Sequence, residues 1–174
     1  MEAELYWIQA VGSGRLATLP RPRGGDRLRD EIASLRAEGV DLLVSLLTPH
    51  EAETLELQTE AELCAALGLE FASYPIEDMR VPLSVVETRA LVTRLLAALR
   101  AGRGVAVHCR ACIGRSSTVA ACVLVAAGLS PEAAFARISA ARGITVPDTD
   151  EQRAWVERFA ALAVVPRPDG RGAS

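Results

Sequence analysis

An α/β sandwich, with a central and mainly parallel sheet flanked by helices in three layers, is the fold class this sequence predicts. Short apolar runs of strand length alternate with longer segments of helical period. The most apolar run, 40–47 (VDLLVSLL), suits a strand covered on both faces. Polar or glycine-bearing stretches separate these runs, as connections between layers require. With 174 residues, half of them apolar and 24% charged, the chain can bury a substantial core. One domain is expected over 1–165, with a disordered tail over 166–174. Aromatics make up only 4%, so aliphatic side chains and alanine must fill the interior.

Taken in order, residues 6–8 and 16–18 read as short strands joined by a turn at Gly12-Ser13-Gly14. A loop follows, then a helix with Asp26 as its N-cap, Leu28, Ile32 and Leu35 on one face, and Gly39 at its end. The strand over 40–47 precedes a helix over 60–67, capped by Thr59 and stopped by Gly68. A strand over 71–76 leads into the polar loop 77–82. Ser84 and Glu87 form a capping box for a long helix that ends near Gly102. The buried strand 105–107 runs into HCRACIGRSS, and an apolar helix over 118–127 is stopped by Gly128. Ser130 and Pro131 suit the N-cap and first turn of another helix, and a last one covers 150–163. No repeat or internal linker interrupts the pattern.

Charge and targeting signals narrow the function classes. A net charge of −3 offers no overall attraction to nucleic acid or to an anionic membrane, so neither is an expected partner. All 19 cationic residues are Arg, which points to a GC-rich, bacterial genome and gives every cation a bidentate fork for oxyanions. The N-terminus lacks the basic start and apolar stretch of a signal peptide. The longest apolar run, 119–129, falls short of the roughly 20 residues a membrane span needs. A cytoplasmic monomer is expected, its four cysteines reduced or reactive and not bridged.

Functional loops of such sheets gather at the carboxyl ends of strands, where 77–82 and 108–116 both fall. Cys109 and Arg115 stand there as Cys-x5-Arg between a strand and a helix. A loop of that length can wrap the backbone N–H groups of Arg110, Ala111, Cys112, Ile113, Gly114 and Arg115 around an oxyanion at the helix N-terminus. The same field favours a thiolate: helix N-termini and nearby cations bring cysteine from a pKa of about 8.5 into a range of roughly 3.5–7.5. Arg115 adds a planar fork for two oxygens of the anion. Ser116 can hydrogen-bond the sulfur, and His108 can hold the loop through its backbone.

HCRACIGRSS resembles the His-Cys-x5-Arg-Ser/Thr loop of the Cys-dependent protein tyrosine and dual-specificity phosphatases. The rest of the chain is similar to the compact, dual-specificity-like branch. IEDMRVP, about thirty residues upstream, resembles that family's general-acid loop, and VPDTDEQRAWV its short Gln-containing segment. The resemblance implies a phosphatase-type three-layer fold and hydrolysis of phosphate monoesters through a cysteinyl-phosphate, protein phosphotyrosine being the first substrate to consider, with phosphoserine and phosphothreonine next. Cys109 would attack phosphorus, and Asp78 would protonate the leaving oxygen and then act as base on water that Gln152 orients. No metal and no cofactor is called for, and the partner is a phosphorylated protein or a small phosphomonoester.

One position departs from the family pattern: Cys112 stands where Gly is common, and Gly tolerates backbone conformations that Cys does not. Cys109 and Cys112 could also form a reversible disulfide that shields the nucleophile, although a small packed residue is the preferred reading of Cys112. Glu77 rivals Asp78 as the acid, Arg80 and Arg110 are either substrate contacts or solvated charges, and Cys64 and Cys122 read as core. Two functions of other classes stay open: a rhodanese-like sulfurtransferase, and a module that binds phosphate groups without cleaving them.

Overall fold

The structure, a computed structural model, describes residues 4–163. The tail expected from 166 onward lies outside the described residues. The chain opens with an antiparallel pair, β1 (Tyr6–Val11) and β2 (Gly14–Leu19), turned at Gly12 and Ser13. Three further strands follow: β3 (Leu42–Ser45), β4 (Glu70–Ser73) and β5 (Gly104–His108). The sheet order is β1-β2-β5-β3-β4, and every pairing except β1–β2 is parallel. β5 therefore runs mid-sheet, with Val107 opposite Thr18 on one side and Val44 on the other.

Among the described residues, seven α-helices cover the two faces: α1 (Leu28–Ala37), α2 (Pro49–Thr54), α3 (Glu60–Ala66), α4 (Val85–Arg100), α5 (Arg115–Ala126), α6 (Pro131–Arg142) and α7 (Asp150–Ala163). The period of two along β5 decides which face each side chain serves. Val105 and Val107 pack with residues of α4, α5, α6 and α7, including Leu95, Val119, Phe135 and Phe159. Ala106, between them, faces Leu28, Ile32 and Leu35 of α1 and Cys64 of α3. Burial pushes the Cys64 thiol up to about 12 and also raises Cys122, so both are unreactive core thiols, as expected.

The differences from the sequence expectation have local causes. Asp26 does not cap a helix: it lies in a 3-10 turn, Gly25–Arg27, and α1 begins after it without a side-chain cap. Gly25 at φ +60, its N–H donating to the Glu56 carbonyl at 3.0 Å, ties the chain there and delays the helix. The strand expected over 71–76 ends at Ser73, just before Pro75 interrupts the supply of backbone donors. Thr59 occupies the N-cap of α3 but makes no side-chain cap bond. The helix expected from 118 starts three residues earlier, at Arg115. α2 was not expected, although Thr48-Pro49-His50-Glu51 carries its signature. Thr48 Oγ1 accepts from the Glu51 amide, the Glu51 carboxylate accepts from the Thr48 amide, and Pro49 sits in the first turn.

No helix among the described residues is long and apolar enough to cross a membrane. Truncating Leu95→Ala, which is fully buried on α4 under the sheet, should cost about 2–5 kcal/mol in urea unfolding. A loss below about 1 kcal/mol would contradict the packing of this layer.

Candidate active site

The strand–loop–helix junction places the site at the carboxyl ends of the parallel strands. β5 ends at His108 and α5 opens at Arg115. Outside the intervening loop, the Arg21 amide donates to the Arg110 carbonyl at 3.3 Å. The Arg142 side chain donates to the carbonyls of Ala111, at 3.3 Å, and Cys112, at 3.1 Å. In a trans peptide the next N–H points opposite its carbonyl, so these bonds turn the amides of 111–113 toward the inside of the loop. None of the amides of 110–115 donates to a described residue. An inward ring of free N–H groups at the start of a 12-residue helix is a cradle for an anion.

Cys112 adopts φ +60, a left-handed conformation that costs a non-glycine residue about 1–2 kcal/mol. The loop thus keeps a glycine-like turn despite the cysteine, held by Arg142 and by the full burial of the Cys112 side chain. Burial also raises the Cys112 thiol, which fits a packed residue better than a reactive one. Gly114 has φ −90, so its conformation does not require glycine. A Cβ there would meet Asp148 Oδ2 at 2.4 Å and Gln152 Nε2 at 2.7 Å, so a larger residue would have to displace these two side chains.

Arg115, only 2% exposed, is the most heavily bonded side chain of the site. Nη1 donates to Glu51 Oε2 at 2.8 Å and to the Ile76 carbonyl at 2.9 Å. Nη2 donates to Glu51 Oε1 at 2.9 Å and lies 3.0 Å from Asp78 Oδ1. Burial works against the Arg115 charge, but Glu51, together with Cys109 and Asp78, outweighs it and holds the guanidinium above its ordinary value. Burial likewise opposes ionisation of Glu51, and its bonds to Arg115 and Thr48 overcome that and hold it below the usual range.

The other residues expected at the site lie around this centre as follows. Cys109, 3% exposed, has its Sγ 3.3 Å from the Ser116 hydroxyl. His108 is buried, with Nδ1 3.4 Å from the Cys109 carbonyl and Nε2 3.0 Å from Oε1 of the buried Glu60. Asp78 is 58% exposed at its side chain and accepts the Met79 amide at 3.0 Å, while Glu77 pairs with no cation among the described residues. Gln152 is fully buried; its Nε2 donates to the Arg80 carbonyl at 3.2 Å and its Oε1 accepts the Thr149 amide at 3.2 Å. It thereby joins the Asp78 loop to the segment before α7. Arg110 is exposed on the loop, and no described side chain pairs with it. His50, on α2, stays outside the cluster.

Arg142 and three acidic residues here were not singled out from sequence: Glu51, Glu60 and Asp148. Glu51 could have been found through the capping-box pattern, which fixes a short helix right after β3. The other two acids carry no local signal, since only the fold brings them to the loop. A cleft of about 480 Å³ beside the Asp78 loop is lined by Thr48, Pro49, Ile76, Glu77, Arg80 and Val81, among others. A larger one, about 940 Å³, lies between α4 and α7 at the end of α5 remote from the loop.

Residues 17–129, which include Cys109, Arg115 and Asp78, match the family described as Tc-R-P, the DSP-PTPase phosphatase of polymorphic toxin systems. Among solved structures the chain is similar to Tk-PTP in its active form, with 26% identity and a TM-score of 0.74 over 92% of this chain and 99% of that one. It is also similar to kinase associated phosphatase carrying serine for its catalytic-site cysteine, with 20% identity and a TM-score of 0.85 over 94% and 97% of the two chains. PTPMT1 in complex with PI(5)P shares the fold, at 21% identity and a TM-score of 0.73 over 91% and 96%. No curated protein sequence matches.

Because Glu51 ionises more readily when folded, its contribution to stability is complete above its ordinary value of 4.5 and is lost as pH falls through its lowered one. Glu51→Gln should therefore lower stability by about 1.5–3 kcal/mol at neutral pH. The gap to the wild type should narrow below pH 4.5 in denaturant unfolding at stepped pH. A gap that is constant or widens on acidification would contradict the pairing.

Proposed function

The chain belongs to the DSP-PTPase phosphatase family and is a cysteine-based phosphoester hydrolase; we propose that Cys109 is its nucleophile and Arg115 its phosphoryl-binding cation. The observation that carries this reading is a buried sulfur and a buried guanidinium at the two ends of one loop whose amides have no described acceptor, at the start of α5. The hydrogen count at Arg115 tells how the anion enters. A guanidinium has five N–H groups. Glu51 and the Ile76 carbonyl accept three of them, Asp78 Oδ1 lies 3.0 Å from Nη2 as an ion-pair partner, and no described residue accepts from Nε. A phosphoryl group takes the Nε–H and the Nη2 hydrogen not held by Glu51, with Glu51 left in place and Asp78 moved from beside Nη2. Its arrival frees the Asp78 carboxyl to turn toward the leaving oxygen.

The Cys109 sulfur attacks phosphorus as the ester P–O bond breaks, and Asp78 gives its proton to the departing oxygen. Water then attacks the cysteinyl-phosphate, Asp78 takes its proton, and the S–P bond breaks with the Ser116 hydroxyl hydrogen-bonded to the leaving sulfur. Gln152 has one amide hydrogen and one carbonyl lone pair left beyond its bonds to Arg80 and Thr149, enough to orient that water. His108 positions the loop from beneath.

Phosphotyrosine is the substrate class favoured, because a nucleophile residue only 3% exposed is reached more readily by a phosphorylated phenol than by a shorter phosphoserine. Arg110 is the one loop cation besides Arg115, which disfavours a polyphosphorylated inositol. The enzyme acts as a cytoplasmic monomer in this reading. Sulfur transfer and binding without cleavage fit less well, since neither needs a carboxyl facing the arginine fork.

Cys109→Ser should retain the fold, by circular dichroism, and lose turnover of p-nitrophenyl phosphate; wild-type turnover would reject the nucleophile. Asp78→Ala should slow phenyl phosphate by about 10²–10⁴-fold and p-nitrophenyl phosphate far less. Equal losses on both substrates would remove Asp78 from proton transfer.

A further inference from the structure

Asp148 has no part in the mechanism above, yet three observations aim it at the same space. The first is packing: Gly114 lacks a side chain at a position whose backbone conformation any residue could adopt, and the room is taken by the Asp148 carboxylate and the Gln152 amide. The glycine lets both sit directly against the phosphate loop. The second is tethering. Gln152, fully buried, holds the Arg80 carbonyl of the Asp78 loop with one end of its amide and the Thr149 amide, next to Asp148, with the other. The two acidic segments are thereby fixed relative to each other across the loop mouth.

The third is charge. Asp78 Oδ1 lies 3.0 Å from Nη2 of Arg115, whereas no cation among the described residues forms an ion pair with Asp148. The charged groups facing Asp148 are Asp78 and Arg115, with Glu51 on the far side of Arg115. Burial, and then the Asp78 charge, raise Asp148 above its ordinary value of 3.8, with Arg115 opposing them. Asp148 thus keeps its proton more readily than an ordinary carboxyl, while it is coupled to Asp78 across the loop mouth.

We propose that Asp148 is a second proton-carrying carboxyl of this site, sharing with Asp78 the proton delivered to the leaving oxygen. The proposal rests on the reading that Cys109 attacks and Arg115 binds the phosphoryl group. In the first half-reaction the ester P–O bond breaks, and the departing oxygen takes the shared proton and leaves a carboxylate pair. In the second, water forms its bond to phosphorus, its proton returns to the pair, and the S–P bond breaks. The count of protons closes over one turnover.

The test is a double-mutant cycle on Asp78→Asn and Asp148→Asn, with kcat measured against pH for phenyl phosphate and p-nitrophenyl phosphate. Asp78→Asn should keep part of the acid catalysis, and adding Asp148→Asn should cost about a further tenfold or more on phenyl phosphate, with little further loss on the better leaving group. Asp148→Asn alone should move the alkaline limb of the kcat profile to lower pH, because the group that holds its proton longer than an ordinary carboxyl is gone. Asp148→Glu should restore the limb. A double variant identical to Asp78→Asn would overturn the proposal, and so would a wild-type pH profile in Asp148→Asn with equal losses on both substrates. If Cys109→Ser is inactive in the same assays, that outcome removes Asp148 alone and leaves the nucleophile in place.

Discussion

A guanidinium taken almost wholly out of water must have its N–H groups met, or its burial costs several kcal/mol. At Arg115 this constraint joins three parts of the chain that are far apart in sequence. Glu51 comes from α2, the Ile76 carbonyl and Asp78 from the connection between β4 and α4, and Arg115 from the first turn of α5. Two of these partners are themselves fixed: Glu51 by its capping box with Thr48, and Ile76 by the hydrogen bond its N–H donates to the Leu46 carbonyl. The fork is therefore oriented before any anion arrives, and preorganised charge of this kind is what a phosphoryl-transfer site uses most effectively.

The loop around it is assembled against local preference. Cys112 holds a left-handed turn, and the carbonyls of Ala111 and Cys112 are drawn outward by a side chain from α6. Outward carbonyls are what leave amides facing in. Ordinary core burial on both faces of the sheet supplies the stability that such a loop spends, which is why it is anchored on β5, a strand paired on both sides.

Much of this was legible in the sequence because the signals were local. The alternation of apolar strand and helix, the Ser130-Pro131 cap, and the His-Cys-x5-Arg-Ser run between β5 and α5 each depend on neighbours within a few positions. Asp26 misled for the same reason: its sequence context suits a cap, but the bond from Gly25 to the distant Glu56 carbonyl decided the turn. Glu51, Glu60 and Asp148 went unnoticed because their roles exist only across the fold. An acidic residue on a short helix has no distinguishing pattern until the arginine it meets is known. Gly114 illustrates the limit most clearly, since its reason is the close approach of Asp148 and Gln152, more than thirty positions away.

The central claim is that a phosphoryl group enters a space shared by the Cys109 sulfur, the loop amides and the two arginine hydrogens not held by Glu51 or Ile76. A crystal structure with orthovanadate tests it most directly. The account predicts vanadium bonded to Cys109 Sγ, vanadate oxygens on Arg115 Nε and Nη2, Asp78 displaced from Nη2, and Glu51 unmoved. Vanadate seated away from the sulfur, or bound with Glu51 expelled and Asp78 still on the fork, would contradict it.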